Sequence, residues 1–336
     1  MWLSPALRLY VKLYRMKKLL VIEGPTGTGK TSLAIKLVKK FNGEIVSADS
    51  RQIYKGMDIG TGKIDLSSKI SDVRKEKNKW IVDGVPIHLY DVITPDKTFS
   101  VAEYQQLAYG AIDEISKKGK LPILVGGTGL YIQAVTEGLK IPKVAPDKKL
   151  RDRLETQPLN TLVAELEKVD PTTAGKIDKQ NPRRVIRALE VFYQTGSSLS
   201  SLQEKFKSNF DALQIGLTAE REPLYQKVDD RVDSWFEQGF TEEVKKLLNQ
   251  GFSENLPAMS SLGYRQVAMF IQGKIPEGEA KQRIKWETHS YIRRQYTWFR
   301  RNRNIFWFDI NEKEIEKEIE KIISKWIAEK EPFVAG

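Results

Sequence analysis

Gly24-Pro25-Thr26-Gly27-Thr28-Gly29-Lys30-Thr31 is the stretch that decides the fold. It fits G-x-x-x-x-G-K-[ST], and both flanks agree with it. Before it, Lys18-Leu19-Leu20-Val21-Ile22 is a short apolar run that reads as a buried strand. After it, Ser32 to Phe41 has helical spacing at Leu33, Ile35, Leu37 and Val38. A strand, a glycine-rich turn and a helix together make a phosphate cradle. The glycines let successive N–H groups point at phosphate oxygens, Lys30 adds a mobile charge, and the Thr31 hydroxyl is a ligand for Mg2+. The loop implies a bound di- or triphosphate and leaves the reaction open.

Further along, Asn42-Gly43 stops the helix and Glu44 to Ala48 reads as a second strand. Lys120 to Val125 reads as a third, running into Gly126-Gly127-Thr128-Gly129, with a helix over 100–118 between them. This alternation predicts an α/β fold, a P-loop parallel sheet with its site at the C-terminal strand ends. Residues 141 to about 209 show helical patterns without a clear strand, and Gln214 to Thr218 then reads as a strand returning to the sheet. Helices are predicted over 223–248 and near 278–301. The expected organisation is a core of residues 17–140 and 210–336, a helical insertion at 141–209, and an N-terminal extension at 1–16.

Composition narrows the chemistry. The 336 residues include no cysteine, which excludes disulfides, thiolate metal sites and cysteine nucleophiles. Lys and Arg total 55 against 44 acids, a net charge of +11. That surplus suits a polyanionic partner, although a merely basic enzyme carries one too. No run approaches the roughly 18 apolar residues of a membrane span. The basic N-terminus lacks the small-residue cleavage pattern of a signal peptide, so a cytoplasmic location is expected. His88 and His289 are the only histidines, neither has a partner at metal-site spacing, and both read as structural.

Asp49 ends the second predicted strand in Ser47-Ala48-Asp49-Ser50, followed at once by Arg51 and Gln52. A metal ligand, a general base and a helix cap are all open to it. A hydrolytic motor carries its metal-binding acid after a long apolar strand. Here Pro122 to Val125 ends in glycines, and Asp91 is the remaining candidate. Asp49 instead stands across the cleft from the phosphate loop, where a group-transfer enzyme needs a base for its acceptor. Thr128 places a hydroxyl nearby, although a plain tight turn explains that segment as well. Gln180-Asn181-Pro182-Arg183-Arg184 opens a helix with arginines on successive faces. Residues 283–303 interleave Arg293, Arg294 and Arg300 with Tyr291, Tyr296 and Trp298. That mixture suits phosphate contacts and base stacking, or an amphipathic helix with core aromatics and solvated arginines.

Taken together, GPTGTGKT, SADSRQIYKGMDIGTGK, GGTGLY, DPTTAGKIDKQNPRRVIRALEVFYQTG and LGYRQ (262–266) resemble the tRNA dimethylallyltransferase (isopentenyltransferase) family, in order, over roughly residues 18–309. The resemblance implies transfer of a dimethylallyl group from dimethylallyl diphosphate to the exocyclic amine of the adenosine just 3′ of the anticodon in tRNA. It implies that Gly24, Thr26, Gly27, Thr28, Gly29, Lys30, Thr31 and Arg231 hold the diphosphate, with Mg2+ on Thr31. Asp49 becomes the base on the amine, with Thr128 beside the reacting centre. Asp49, Ser50, Arg51, Gln52, Gln180, Asn181, Pro182, Arg183 and Arg184 become tRNA contacts, joined by Arg293 and Arg294 from the basic helix. Eukaryotic relatives often add a C-terminal zinc finger. A chain without cysteine that ends at Gly336 is expected to be of the bacterial type, and to act as a monomer.

Three other readings make different predictions. An adenylate isopentenyltransferase prenylates a free nucleotide and needs neither the insertion nor the aromatic, arginine-rich helix. A kinase using Asp49 to activate a hydroxyl would consume ATP without any allylic diphosphate. A non-catalytic RNA-binding protein gives no account of Lys30 and Asp49 at matched strand ends.

Overall fold

The computed structural model describes residues 16–63, 72–142, 144–202 and 209–329. The expected N-terminal extension, apart from Met16, lies outside the described residues. Contacts divide the chain into two compact units, one made of residues 1–132 with 209–336 and the other of residues 133–208.

The first unit is built on an eight-stranded sheet. Its strands are β1 (Lys17–Glu23), β2 (Gly43–Ser47), β3 (Val73–Glu76), β4 (Lys79–Val82), β5 (Val85–His88), β6 (Leu121–Gly126), β7 (Phe210–Thr218) and β8 (Ile305–Asp309). The order is β3-β4-β5-β2-β6-β1-β7-β8. The run from β5 to β8 is parallel, as expected, while β3 and β4 add an antiparallel edge that sequence pattern does not announce. Leu19, Leu20, Val21 and Ile22 of β1 are wholly buried. A central parallel strand is covered on both faces, which is why its sequence is apolar without alternation.

On one face, Leu20, Ile22, Ile45, Ile123 and Ile215 pack with Leu33 and Leu37 of the helix Lys30–Phe41. Ile319 and Ile323 of the helix Ile315–Ala328 close the same core. A second core joins Ile53 and Met57, after β2, to Val232, Trp235, Phe240, Val244, Tyr264 and Ile284. The single helix expected over 223–248 is in fact two, Arg221–Glu237 and Phe240–Asn249. They part at Gly239, whose φ of 92° no ordinary helical residue adopts.

The second unit carries helices Lys148–Glu155, Leu159–Val169, Pro171–Lys176, Pro182–Thr195 and Leu199–Leu202, and no strand among its described residues. Leu154, Leu162, Leu166, Val185 and Leu189 form its core. Inside it, the fully buried Glu190 accepts two hydrogen bonds from Arg151 at 2.8 Å, one from Arg187 at 2.5 Å and one from the Asp147 N–H at 2.7 Å. Burial alone would raise its pKa, but these donors outweigh it and hold the carboxyl below its usual range. No described helix is long and apolar enough to cross a membrane.

Candidate active site

Parallel pairing brings the loops after β1, β2 and β6 to one edge of the sheet. The Ala48 N–H donates to Val125 O at 2.7 Å, and the Thr128 N–H donates to Ala48 O at 3.2 Å. Gly126 permits this approach, since a Cβ there would stand 2.1 Å from Ala48 O. Gly24 is constrained in the same way. Its φ is 137°, and a Cβ would lie 2.3 Å from Leu217 O on β7.

The phosphate loop is closed by its own side chains. Lys30 Nζ donates to Pro25 O at 2.6 Å, and the buried Thr28 hydroxyl donates to the same oxygen at 2.9 Å. Arg231 Nη2, from the helix Arg221–Glu237, donates to Thr26 Oγ1 at 2.9 Å. The loop, β2's end and this helix surround a cavity of about 680 Å3, lined among others by Gly29, Lys30, Thr31, Asp49, Arg231 and Tyr291. That volume suits a small organic ligand. Thr26 and Gly27 also face the cavity, whereas Gly24 and Thr28 are buried and shape the loop from behind.

Electrostatics in this cavity are coupled. Burial lowers the Lys30 pKa to about 7, with Arg231 pushing the same way and Asp49 opposing. Burial raises the Asp49 pKa, against the pull of the Arg51 N–H, which Asp49 Oδ1 accepts at 2.8 Å, and of the Lys30 charge. A bound polyanion favours the charged lysine. A carboxylate with a raised pKa is in turn a stronger base.

Beside Asp49, the Ser50 N–H donates to Thr128 Oγ1 at 3.0 Å, and Thr128 also bonds the Tyr291 hydroxyl. Arg51 is braced at the rim, donating to Pro257 O at 2.9 Å and Ser260 Oγ at 3.3 Å. Gln52 accepts from Ser47 Oγ at 2.8 Å and donates to the carbonyls of Thr61 and Gly62 at 3.3 Å. Arg294 lines the cavity, and Arg293 is exposed with Nη2 donating to Ser290 Oγ at 2.6 Å. Gln180, Asn181, Pro182, Arg183 and Arg184 lie in the second unit. There the Asn181 side chain caps the helix that Pro182 opens, while Gln180, Arg183 and Arg184 are exposed.

Other candidates have structural partners. Asp91 accepts from Lys63 Nζ at 2.5 Å and Trp80 Nε1 at 2.7 Å. His88 meets Glu44 at 2.7 Å, and His289 meets Asp229 at 2.8 Å with its ring stacked on Tyr225. No group of three or more His, Cys, Asp or Glu able to hold a metal occurs among the described residues. A hard divalent ion that keeps waters and shares phosphate oxygens needs only one or two protein oxygens, and the Thr31 hydroxyl on the cavity wall fits that donor set. Sequence reading missed Gln295, whose carboxamide joins the two glycine-rich turns.

A family model described as IPP transferase matches residues 52–302. This chain belongs to the IPP transferase family. Within the family it is 46% identical over 299 residues to the tRNA dimethylallyltransferase of Dehalococcoides mccartyi, covering 88% of each chain. It is 43% identical over 302 residues to that of Thermomicrobium roseum, covering 89% of this chain and 88% of the relative. Among solved structures, the tRNA isopentenylpyrophosphate transferase of Bacillus halodurans superposes with a TM-score of 0.67 at 37% identity, covering 93% and 97% of the two chains. A eukaryotic dimethylallyltransferase acting on tRNA gives 0.73 at 29% identity, covering 93% and 79%. The resemblance and the P-loop-like α/β fold expected from the motifs are both borne out. The phosphate loop and Asp49 precede the residues that the IPP transferase model matches.

Proposed function

We propose that this IPP transferase moves a dimethylallyl group from dimethylallyl diphosphate to the exocyclic amine of the adenosine 3′ to the anticodon in tRNA, releasing diphosphate. The observation that carries the reading is one cavity holding Lys30 and Arg231 at a phosphate loop and Asp49 at the end of β2. The names of its relatives favour tRNA over free adenylate as the acceptor.

In the reaction an allylic C–O bond breaks and a C–N bond forms. Both electrons of the C–O bond leave with diphosphate, whose growing charge meets loop N–H groups, Lys30 and Arg231. Mg2+, when bound at the Thr31 hydroxyl, adds charge neutralisation at the phosphates. The adenine amine is a poor nucleophile because its lone pair is delocalised into the ring. Asp49 accepts a hydrogen bond from it as the C–N bond forms and then takes the proton. Thr128 and Ser50 fix the backbone beside that carboxylate. The target base has to leave its stack to reach such a site. We assign the tRNA grip to Ser50, Arg51, Gln52, Arg293 and Arg294, and to Gln180 through Arg184 of the helical insertion.

The deciding experiment incubates the protein with labelled dimethylallyl diphosphate and either tRNA or AMP. Labelled tRNA supports the proposal. Labelled AMP, or no transfer at all, overturns it.

A further inference from the structure

We propose that Gln295 is a positioning residue that sets the distance between the diphosphate loop and the turn bearing Thr128. The inference rests on the prenyl-transfer reading above. Gln295 lies near the end of the helix Glu277–Phe299 and is only 4% exposed. Its Oε1 accepts the Thr26 N–H at 2.9 Å, and its Nε2 donates to Gly127 O at 2.9 Å. The amide orientation follows from its partners, because the flipped form would set donor against donor and acceptor against acceptor.

Those partners belong to opposite sides of the reaction. Thr26 sits in the loop after β1, where the leaving group is held, and its hydroxyl accepts from Arg231. Gly127 precedes Thr128, whose hydroxyl accepts from the Ser50 N–H next to Asp49. One carboxamide therefore spans from leaving-group site to acceptor site. The fit is close, as a Cβ on Gly127 would stand 2.4 Å from Gln295 Nε2. The Thr26 N–H is committed to Gln295, so this amide is not one of the donors that the loop offers to phosphate.

A displacement of about 1 Å between reacting groups costs on the order of 100-fold in rate. Losing the span should therefore slow the chemical step far more than it weakens tRNA binding. A residue that only fills space would instead lower stability and leave the rate at saturation alone.

The test compares wild type with Gln295→Met, close in length but unable to make either bond, and Gln295→Asn, which keeps the amide on a shorter stem. Each is measured for single-turnover transfer at saturating substrates, tRNA Kd, inorganic diphosphate Kd and melting temperature. Both variants are expected to fold, to bind tRNA within 2-fold of wild type, to slow transfer by about 10- to 100-fold and to bind diphosphate more weakly. A folded variant with wild-type rate and wild-type diphosphate affinity overturns the proposal, as does a loss of tRNA affinity equal to the loss in rate. If the methionine variant fails to fold, the asparagine variant decides. If wild type transfers nothing to tRNA, the functional reading fails, while the diphosphate titration still judges Gln295.

Discussion

Arg231 Nη2 and Thr26 Oγ1 stand 2.9 Å apart, which builds a cation from 205 residues downstream into the phosphate loop. The same guanidinium lies 5.2 Å from the Trp235 ring centroid, so the ring helps to hold its plane. Arg231→Ala is expected to weaken inorganic diphosphate and raise the KM for dimethylallyl diphosphate by about 10- to 100-fold, the worth of one charged hydrogen bond. tRNA affinity is expected to stay within 2-fold. Arg231→Lys should rescue little, since an ammonium lacks the fork and the stacking plane. Steady-state kinetics with each substrate varied in turn check this.

In the proposed reaction Asp49 is the base on the acceptor amine. Asp49→Ala is expected to cut single-turnover prenyl transfer by about 100- to 10,000-fold with tRNA affinity nearly intact. Its pKa is raised by burial, so the wild-type rate should fall as pH drops through that raised value and the base takes up a proton. Asp49→Asn should lack that acidic limb. Near-normal turnover in either variant would remove Asp49 from the role.

Glu23 ends β1 at 2% exposure, and its Oε1 has no hydrogen-bond partner among the described residues. Burial moves its pKa from 4.5 to about 8. A carboxyl whose folded pKa lies above the unfolded one costs the fold nothing while both states are protonated, and costs it progressively more once the unfolded chain ionises. Stability is therefore lost as pH rises from about 4.5 and levels off above about 8. Glu23→Gln should raise stability at pH 8 relative to wild type and change it far less at pH 4.5. Denaturant melts at the two pH values give the comparison.

Glu190 is the polar centre of the second unit. Glu190→Ala leaves Arg151, Arg187 and the Asp147 N–H without their shared acceptor and should destabilise the protein by roughly 3 kcal/mol. Glu190→Gln keeps the volume and should lose less. Thermal denaturation with the two variants side by side would show the ordering.

Arg293, Arg294 and Arg300 share the basic helix end. Neutralising all three should reduce the slope of log K for tRNA against log salt by about 2, close to the contribution of three phosphate contacts. An unchanged slope would mean that these arginines face solvent only.

What the sequence disclosed was local. Gly27, Gly29 and Lys30 advertise their conformation by spacing, and Asp49 by standing where an apolar run stops. The edge hairpin was hidden because Val73-Arg74-Lys75-Glu76 is largely exposed and shows no alternation. The helix break at Gly239 was hidden because its flanks keep helical periodicity on both sides. Lys63 with Asp91, and Gln295 with Thr26 and Gly127, depend on partners 28 to 269 residues away. No pattern along the chain announces such pairs.

The seating of Gly24 against Leu217 also bears on how this chain is made. The loop motif is complete by residue 31, yet one wall of its strand is β7, in register from Lys17 with Phe210 to Glu23 with Gly216. A nascent chain must carry β1 with that edge open until the whole helical insertion has been synthesised. Parallel pairing at such separation is slow and exposes unpaired strand edges meanwhile. A product cut short before Phe210 would possess every residue of the phosphate loop and still present β1 as a template for other chains.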